Sequence, residues 1–158
     1  MEQLEIVEDV FIALRKIDRA IDIHSKKLAK RYGLTGPQLM ILKEIMKSSE
    51  NPISQISRNV SLSQATVTSI LDRLEKQGFA KRQRNSIDKR KVYIKLTEKA
   101  EEVLKTNPTL LQEEFYEEFE KLDEWEKMMI LSSLQRLSGM LNAEHIKVEP
   151  VLFTGLIE

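Results

Sequence analysis

Ser63-Gln-Ala-Thr-Val-Thr-Ser-Ile-Leu-Asp-Arg-Leu-Glu-Lys-Gln-Gly78 is the stretch from which the rest of the chain can be read. Val67, Ile70, Leu71 and Leu74 fall at i, i+3, i+4 and i+7, the spacing of one apolar stripe on a helix. Ser63 has the short hydroxyl side chain favoured before the first helical turn, and Gly78 stands where a helix closes through a left-handed residue. At 100° per residue the opposite face carries Ala65, Ser69, Asp72 and Lys76, flanked by Thr66, Thr68 and Arg73. Its first turns are therefore small or hydrogen-bonding rather than uniformly charged.

Directly downstream run Phe79-Ala-Lys-Arg-Gln-Arg84, Asn85-Ser-Ile-Asp-Lys-Arg90 and Lys91-Val-Tyr-Ile-Lys-Leu96. In the last of these, Val92, Ile94 and Leu96 alternate with Lys91, Tyr93 and Lys95, the period of a half-buried strand. A polar-faced helix followed by a basic hairpin reads as a winged helix-turn-helix. The plain alternative is a solvated helix and hairpin with no ligand. Upstream, Asn51-Pro52 opens a short helix carrying Ile53, Ile56 and Val60, and Ser61-Leu62-Ser63 is the tight turn between the two helices.

The net charge is zero, but its distribution is uneven. From Ile53 to Lys99 there are 11 Lys and Arg against 4 Asp and Glu; the rest of the chain holds 14 against 21. A basic middle between acidic ends can turn one positive surface toward phosphates. At 158 residues, with 41% hydrophobic and 32% charged residues, the chain suits a helix-rich globular protein. No apolar run reaches membrane-spanning length, Met1-Glu-Gln-Leu-Glu-Ile lacks a signal peptide's basic and apolar regions, and there is no cysteine. The expected location is cytoplasmic, with no membrane partner.

The outer segments read as helices needing cover. From Leu4 to Arg31, Val7, Phe11, Leu14, Ile17, Ile21, His24 and Leu28 form one narrow stripe over about seven turns, which a partner subunit would cover. His24 on that stripe is either a satisfied core or interface residue or a ligand contact. Tyr32-Gly-Leu-Thr35 ends this helix, and Thr35-Gly-Pro-Gln38 is a capping box with Pro in the first turn. Leu39, Leu42, Ile45 and Met46 are expected to be buried. Thr97 caps a further helix, and Asn107-Pro108 either breaks or kinks it. Leu111, Phe115, Phe119 and Leu122 carry an apolar face onward beside an acidic run. Asp123-Glu-Trp-Glu126 is a second capping box, opening a helix with Trp125, Met128, Leu131, Leu134, Leu137 and Leu141 on one side. Val151-Leu-Phe-Thr-Gly-Leu-Ile157 is expected to dock against the helices at the two ends of the chain.

Helix, helix-turn-helix, a wing containing Asp88-Lys-Arg90, a strand ending Leu96-Thr97 and then C-terminal helices resemble the MarR family of bacterial transcription regulators over roughly Leu4 to Leu141. The resemblance implies a mainly α fold with a small β-wing. A winged helix-turn-helix head (35–99) would be joined to a helical dimerisation domain built from 1–34 and 100–158. It also implies an obligate homodimer that represses from a pseudo-palindromic operator on double-stranded DNA and is released by a small molecule. Leu14 to Leu28, joined to Gly33-Leu-Thr-Gly-Pro-Gln38, is similar to a branch controlling osmolyte genes, ectoine or glycine betaine. Absence of cysteine departs from redox-sensing members, and only His24 and His145 are offered for zinc.

No Gly-rich phosphate loop, cysteine nucleophile, H-E-x-x-H or G-x-S-x-G elbow is present, so no enzyme, cofactor or metal site is expected. For DNA, Ser63, Gln64, Ala65, Thr66, Thr68, Ser69 and Arg73 are the expected contacts of the recognition helix, and Arg82, Arg84, Lys89, Arg90 and Lys91 those of the wing. Gln64 suits adenine, Arg73 guanine or phosphate, and Arg90 a narrow minor groove. Asp88 either aims an arginine or bonds its own turn. His24, Tyr32, Phe115 and Trp125 are the candidate effector residues, the aromatic ones because a quaternary ammonium needs an aromatic cage. Two classes of function remain: an effector-released regulator, or a DNA-binding module without effector, constitutive or controlled by a protein on the acidic 113–126 surface.

Overall fold

The structure, a computed structural model, describes residues 2–48, 50–88 and 92–154. Within them seven helices and one two-stranded sheet follow in the order α1 (Glu2–Tyr32), α2 (Gly36–Lys47), α3 (Ile53–Val60), α4 (Gln64–Lys76), β1 (Ala80–Arg84), β2 (Val92–Leu96), α5 (Glu98–Lys105), α6 (Leu111–Phe119) and α7 (Glu124–Met140). Several boundaries have a local cause. Gly33, at φ +67°, ends α1, its N–H bonding to the Ala29 carbonyl at 2.8 Å. Thr35 and Gln38 then form the expected reciprocal cap of α2. Thr97 caps α5, and the Asp123 N–H donates to the Glu126 carboxylate at the start of α7.

Asn107-Pro108 breaks the helix rather than kinking it. Asn107 adopts φ +49°, which no helix interior tolerates, Pro108 is buried, and α6 starts three residues later. One expectation fails on α2, where Met46 is 57% exposed and Ile41 is buried instead. The packed face of α2 is wider than one stripe because α3, α4 and β2 all lie against it.

The core is continuous. Leu39, Ile41, Leu42 and Ile45 of α2 meet Ile56 and Val60 of α3, Val67, Ile70, Leu71 and Leu74 of α4, and Ile94 of β2. Leu28 and Leu34 join it from the end of α1, Leu104 from α5, and Leu110 just before α6. Burying a side chain of this size stabilises by about 1.5–3 kcal/mol, so α4 is held by four such anchors. By contrast α7 contributes no buried residue, and Val7, Phe11 and Ile17 of α1 are exposed.

The C-terminal segment does dock. Val151 packs against the core, and Leu152 N–H donates to Gln112 Oε1 at 3.3 Å. Thr154 N–H donates to Ser25 Oγ at 3.0 Å, and its hydroxyl lies 3.4 Å from Asp22 Oδ1. Lys26, donating to Asp22, holds that carboxyl below the usual carboxylate range, aided by Arg19 and Thr154. The expected contacts of residues 155–157 lie outside the described residues.

Candidate nucleic-acid interface

The turn before α4 is held from inside. Ser61 takes a left-handed conformation at φ +56°, and Leu62 N–H bonds to the Ser57 carbonyl. The buried Ser57 hydroxyl donates back to the Leu62 carbonyl at 2.7 Å. Sequence reading passed over Ser57, although the signal was there: it sits on the Ile53–Ile56–Val60 stripe, where a hydroxyl must find a partner.

α4 then starts on Ser63, whose Oγ accepts from Thr66 N–H at 3.0 Å and lies 2.7 Å from the Thr66 hydroxyl. It ends in a double closure, Phe79 N–H to the Leu74 carbonyl and Gly78 N–H to the Glu75 carbonyl, with Gly78 at φ +76°. With the apolar stripe buried, Gln64, Ala65, Thr68, Asp72 and Arg73 are exposed and Thr66 and Ser69 half-buried. The polar face expected from the sequence is therefore a free surface on this chain.

In the wing, Ala80 pairs with Leu96, Arg82 with Ile94 and Arg84 with Val92. Alternation puts these residues on the face that buries Ile94, while Lys81 and its partner Lys95 are exposed on the other. Arg82 is turned inward onto α4. Its guanidinium pairs with Asp72 at 2.7 Å and with Glu75, and its N–H donates to Glu75 at 2.8 Å. Arg84 is exposed. At the tip, Asn85 Oδ1 accepts from Ile87 N–H at 2.7 Å and Asp88 N–H at 3.0 Å, an Asx turn. Asp88 is thus part of that turn through its backbone. Lys89, Arg90 and Lys91 lie outside the described residues.

The segment after β2 ties the wing's base to the end of α4. Thr97 Oγ1 donates to the Gly78 carbonyl at 2.6 Å. Lys99 Nζ donates to the Gln77 carbonyl at 2.8 Å and lies 4.2 Å from the centre of the Phe79 ring. A cation at a helix C-terminus meets the negative end of its dipole.

Of the candidate effector residues the structure brings two together. His24 and Tyr32 border a cleft of about 240 Å³ with Lys27, Arg31, Thr106 and Glu114. His24 Nε2 is buried without a hydrogen-bond partner, while the Arg31 guanidinium lies 5.2 Å from the Tyr32 ring centre. Phe115 and Trp125 do not border this cleft. Phe115 stacks on Phe119 with centroids 5.2 Å apart, and Trp125 is 64% exposed on α7. Among the described residues no aromatic cage forms around the cleft.

Residues 24–106, from the end of α1 through α5, match the family described as transcriptional regulator SarA/Rot. The chain belongs to that family. It is 30% identical to the HTH-type transcriptional regulator MgrA of Staphylococcus aureus over 103 residues, 65% of this chain and 70% of MgrA. Among solved structures, a cysteine-to-serine mutant of Lactococcus lactis ZitR aligns with a TM-score of 0.54 at 29% identity, over 68% of this chain and 75% of ZitR. The S. aureus MepR–DNA complex aligns with a TM-score of 0.57 at 17% identity, over 82% of this chain and 96% of that chain, and shares the fold. As a SarA/Rot family member the chain is a DNA-binding transcription regulator and not an enzyme, and its fold is the winged helix that its MarR-like motifs indicate. The family match lies on the winged part; no helix among the described residues is long and apolar enough to cross a membrane.

Proposed function

We propose that the protein is a cytoplasmic, homodimeric repressor that seats one α4 per half-site of a pseudo-palindromic operator. The observation that carries this reading is the pairing of a capped, four-anchor α4 whose outward face is exposed with a wing whose outer face bears Lys81 and Lys95. Like charges directly opposite on a hairpin repel, and a phosphate between them relieves the repulsion. Gln64, Ala65, Thr66, Thr68, Ser69 and Arg73 face the bases, Ser63 the backbone at the first turn, and Arg84 with Lys89, Arg90 and Lys91 the phosphates or minor groove beside them. Arg82 and Asp88 support the wing. The division into a head (35–99) and a dimerisation part (1–34 with 100–158) follows from the same reading. Exposed Phe11 and Ile17 on α1, and Met128, Leu131, Leu134 and Leu141 on or just after α7, are covered by the second copy.

Operator selection from random DNA, followed by binding measurements, tests the proposal. A two-fold symmetric consensus bound by a dimer is the expected result; an asymmetric site bound by a monomer overturns it.

Release by a small molecule is the second part of the reading, supported by the cleft and by the unpartnered His24 Nε2 within it. Lys27 and Arg31 of α1 and Glu114 of α6 suit a zwitterionic osmolyte such as ectoine, its carboxylate toward the cations and its N–H groups toward Glu114, whereas a quaternary ammonium lacks the aromatic cage it needs. Calorimetric titration with ectoine should give binding that Lys27→Ala weakens. Heat-free titration together with unaltered operator affinity would leave the module without effector.

A further inference from the structure

The geometry points to residues 150–154 as a strap whose Phe153 and Thr154 are positioning residues: they fix the angle of the recognition head against α1, and so the half-site spacing that the dimer accepts. The inference rests on the homodimer reading above.

The segment is docked at each step. Val151 fills the margin of the core, and Leu152 N–H is satisfied by Gln112 of α6. Half-buried Phe153 lies over the first residue of α2, where a Cβ added to Gly36 would stand 3.5 Å from that of Phe153. Thr154 closes onto Ser25 and Asp22 of α1 through its N–H and its hydroxyl. This short segment therefore touches α6, α2 and α1 in turn. The tie is doubled on the α2–α6 side, where Gln112 Nε2 contacts Met40 Sδ at 3.3 Å and Lys43 pairs with Glu113 at 2.7 Å. α2 carries the helix-turn-helix, whereas α1 carries the exposed stripe that meets the second copy. A link from one to the other constrains how far the two heads can swing.

Spacing is where such a constraint is felt. Half-sites lie about one turn of 10–10.5 base pairs apart, so inserting one base pair rotates one half-site by roughly 35° about the axis. Heads that swing follow that rotation; strapped heads do not.

The test uses the full chain and three versions of its selected operator: native spacing, one base pair inserted and one deleted between half-sites. Wild type should prefer native spacing strongly. Phe153→Ala and Ser25→Ala should lower that preference about tenfold while binding a single isolated half-site with wild-type affinity. Ser25→Ala removes only the acceptor of the Thr154 N–H, so it carries the test if Phe153→Ala does not fold. Dimeric variants that keep the wild-type spacing preference overturn the strap, as does an equal loss at every spacing and on the single half-site. A monomer in sedimentation would instead remove the homodimer reading beneath it.

Discussion

At φ +76°, Gly78 lets the chain leave α4, return two N–H groups to its last turn and enter β1 within two residues. A Cβ added there would meet nothing within 4 Å, so any cost of replacing it comes from the backbone alone. Gly78→Ala should destabilise by about 1–2 kcal/mol, and Gly78→Asn by less, because asparagine tolerates the left-handed region better. Urea denaturation gives the order, and an alanine variant as stable as wild type would contradict it. A different residue carries specificity. Gln64→Ala should cost on the order of 1–3 kcal/mol on the selected operator and little on random DNA. Equal losses on both would place that side chain on the backbone. Ser63, Gly78 and the Thr35–Gln38 cap were legible because each works within three or four positions of itself. Arg82 was legible only as a cation: its partners Asp72 and Glu75 are on another element, and strand alternation that turns it inward is fixed by the register with β2.

At the scale of elements, the wing is latched to α4 at two levels, by Arg82 near its middle and by Thr97 and Lys99 at its base. Salt dependence separates a latch from a phosphate contact. Lys81→Ala should lower the slope of log affinity against log salt by about one. Arg82→Met should weaken operator binding with the slope unchanged, since the guanidinium is already paired within the protein. An Arg82→Met slope that falls by one would put Arg82 on the DNA instead. Element types and their order followed from periodicity and caps, since both are written in consecutive residues. The wide packed face of α2, with Ile41 in and Met46 out, did not, because it depends on which three elements surround it. The aromatic residues singled out in the sequence likewise do not gather in one place: Tyr32 borders the cleft, while Phe115 turns to Phe119 on its own helix.

Over the whole molecule, apolar surface is divided unevenly. α4 buries its stripe completely, whereas α7 leaves Met128, Leu131 and Leu134 bare and α1 does the same with Phe11 and Ile17. Charged groups on such a surface oppose its burial, so Leu131→Glu with Leu134→Glu should yield a folded monomer with about a hundredfold weaker operator binding. Sedimentation and gel shift together check this, and a double variant that stays dimeric would move the interface elsewhere. The narrow stripe marked α1 as needing cover and the apolar tail was expected to dock, but neither could name the strap's seat, which is formed by residues from three distant parts of the chain. Ser25 and Thr154 stand 129 residues apart. A ribosome therefore delivers the α1 and α2 parts of the seat long before the segment that fills it, and every nascent copy passes through a stage with a finished head, an open latch and α1 uncovered. Chaperone engagement and proteolytic loss should concentrate in that interval, so translation speed between the codons for α5 and that for Thr154 becomes a determinant of how much regulator the cell recovers.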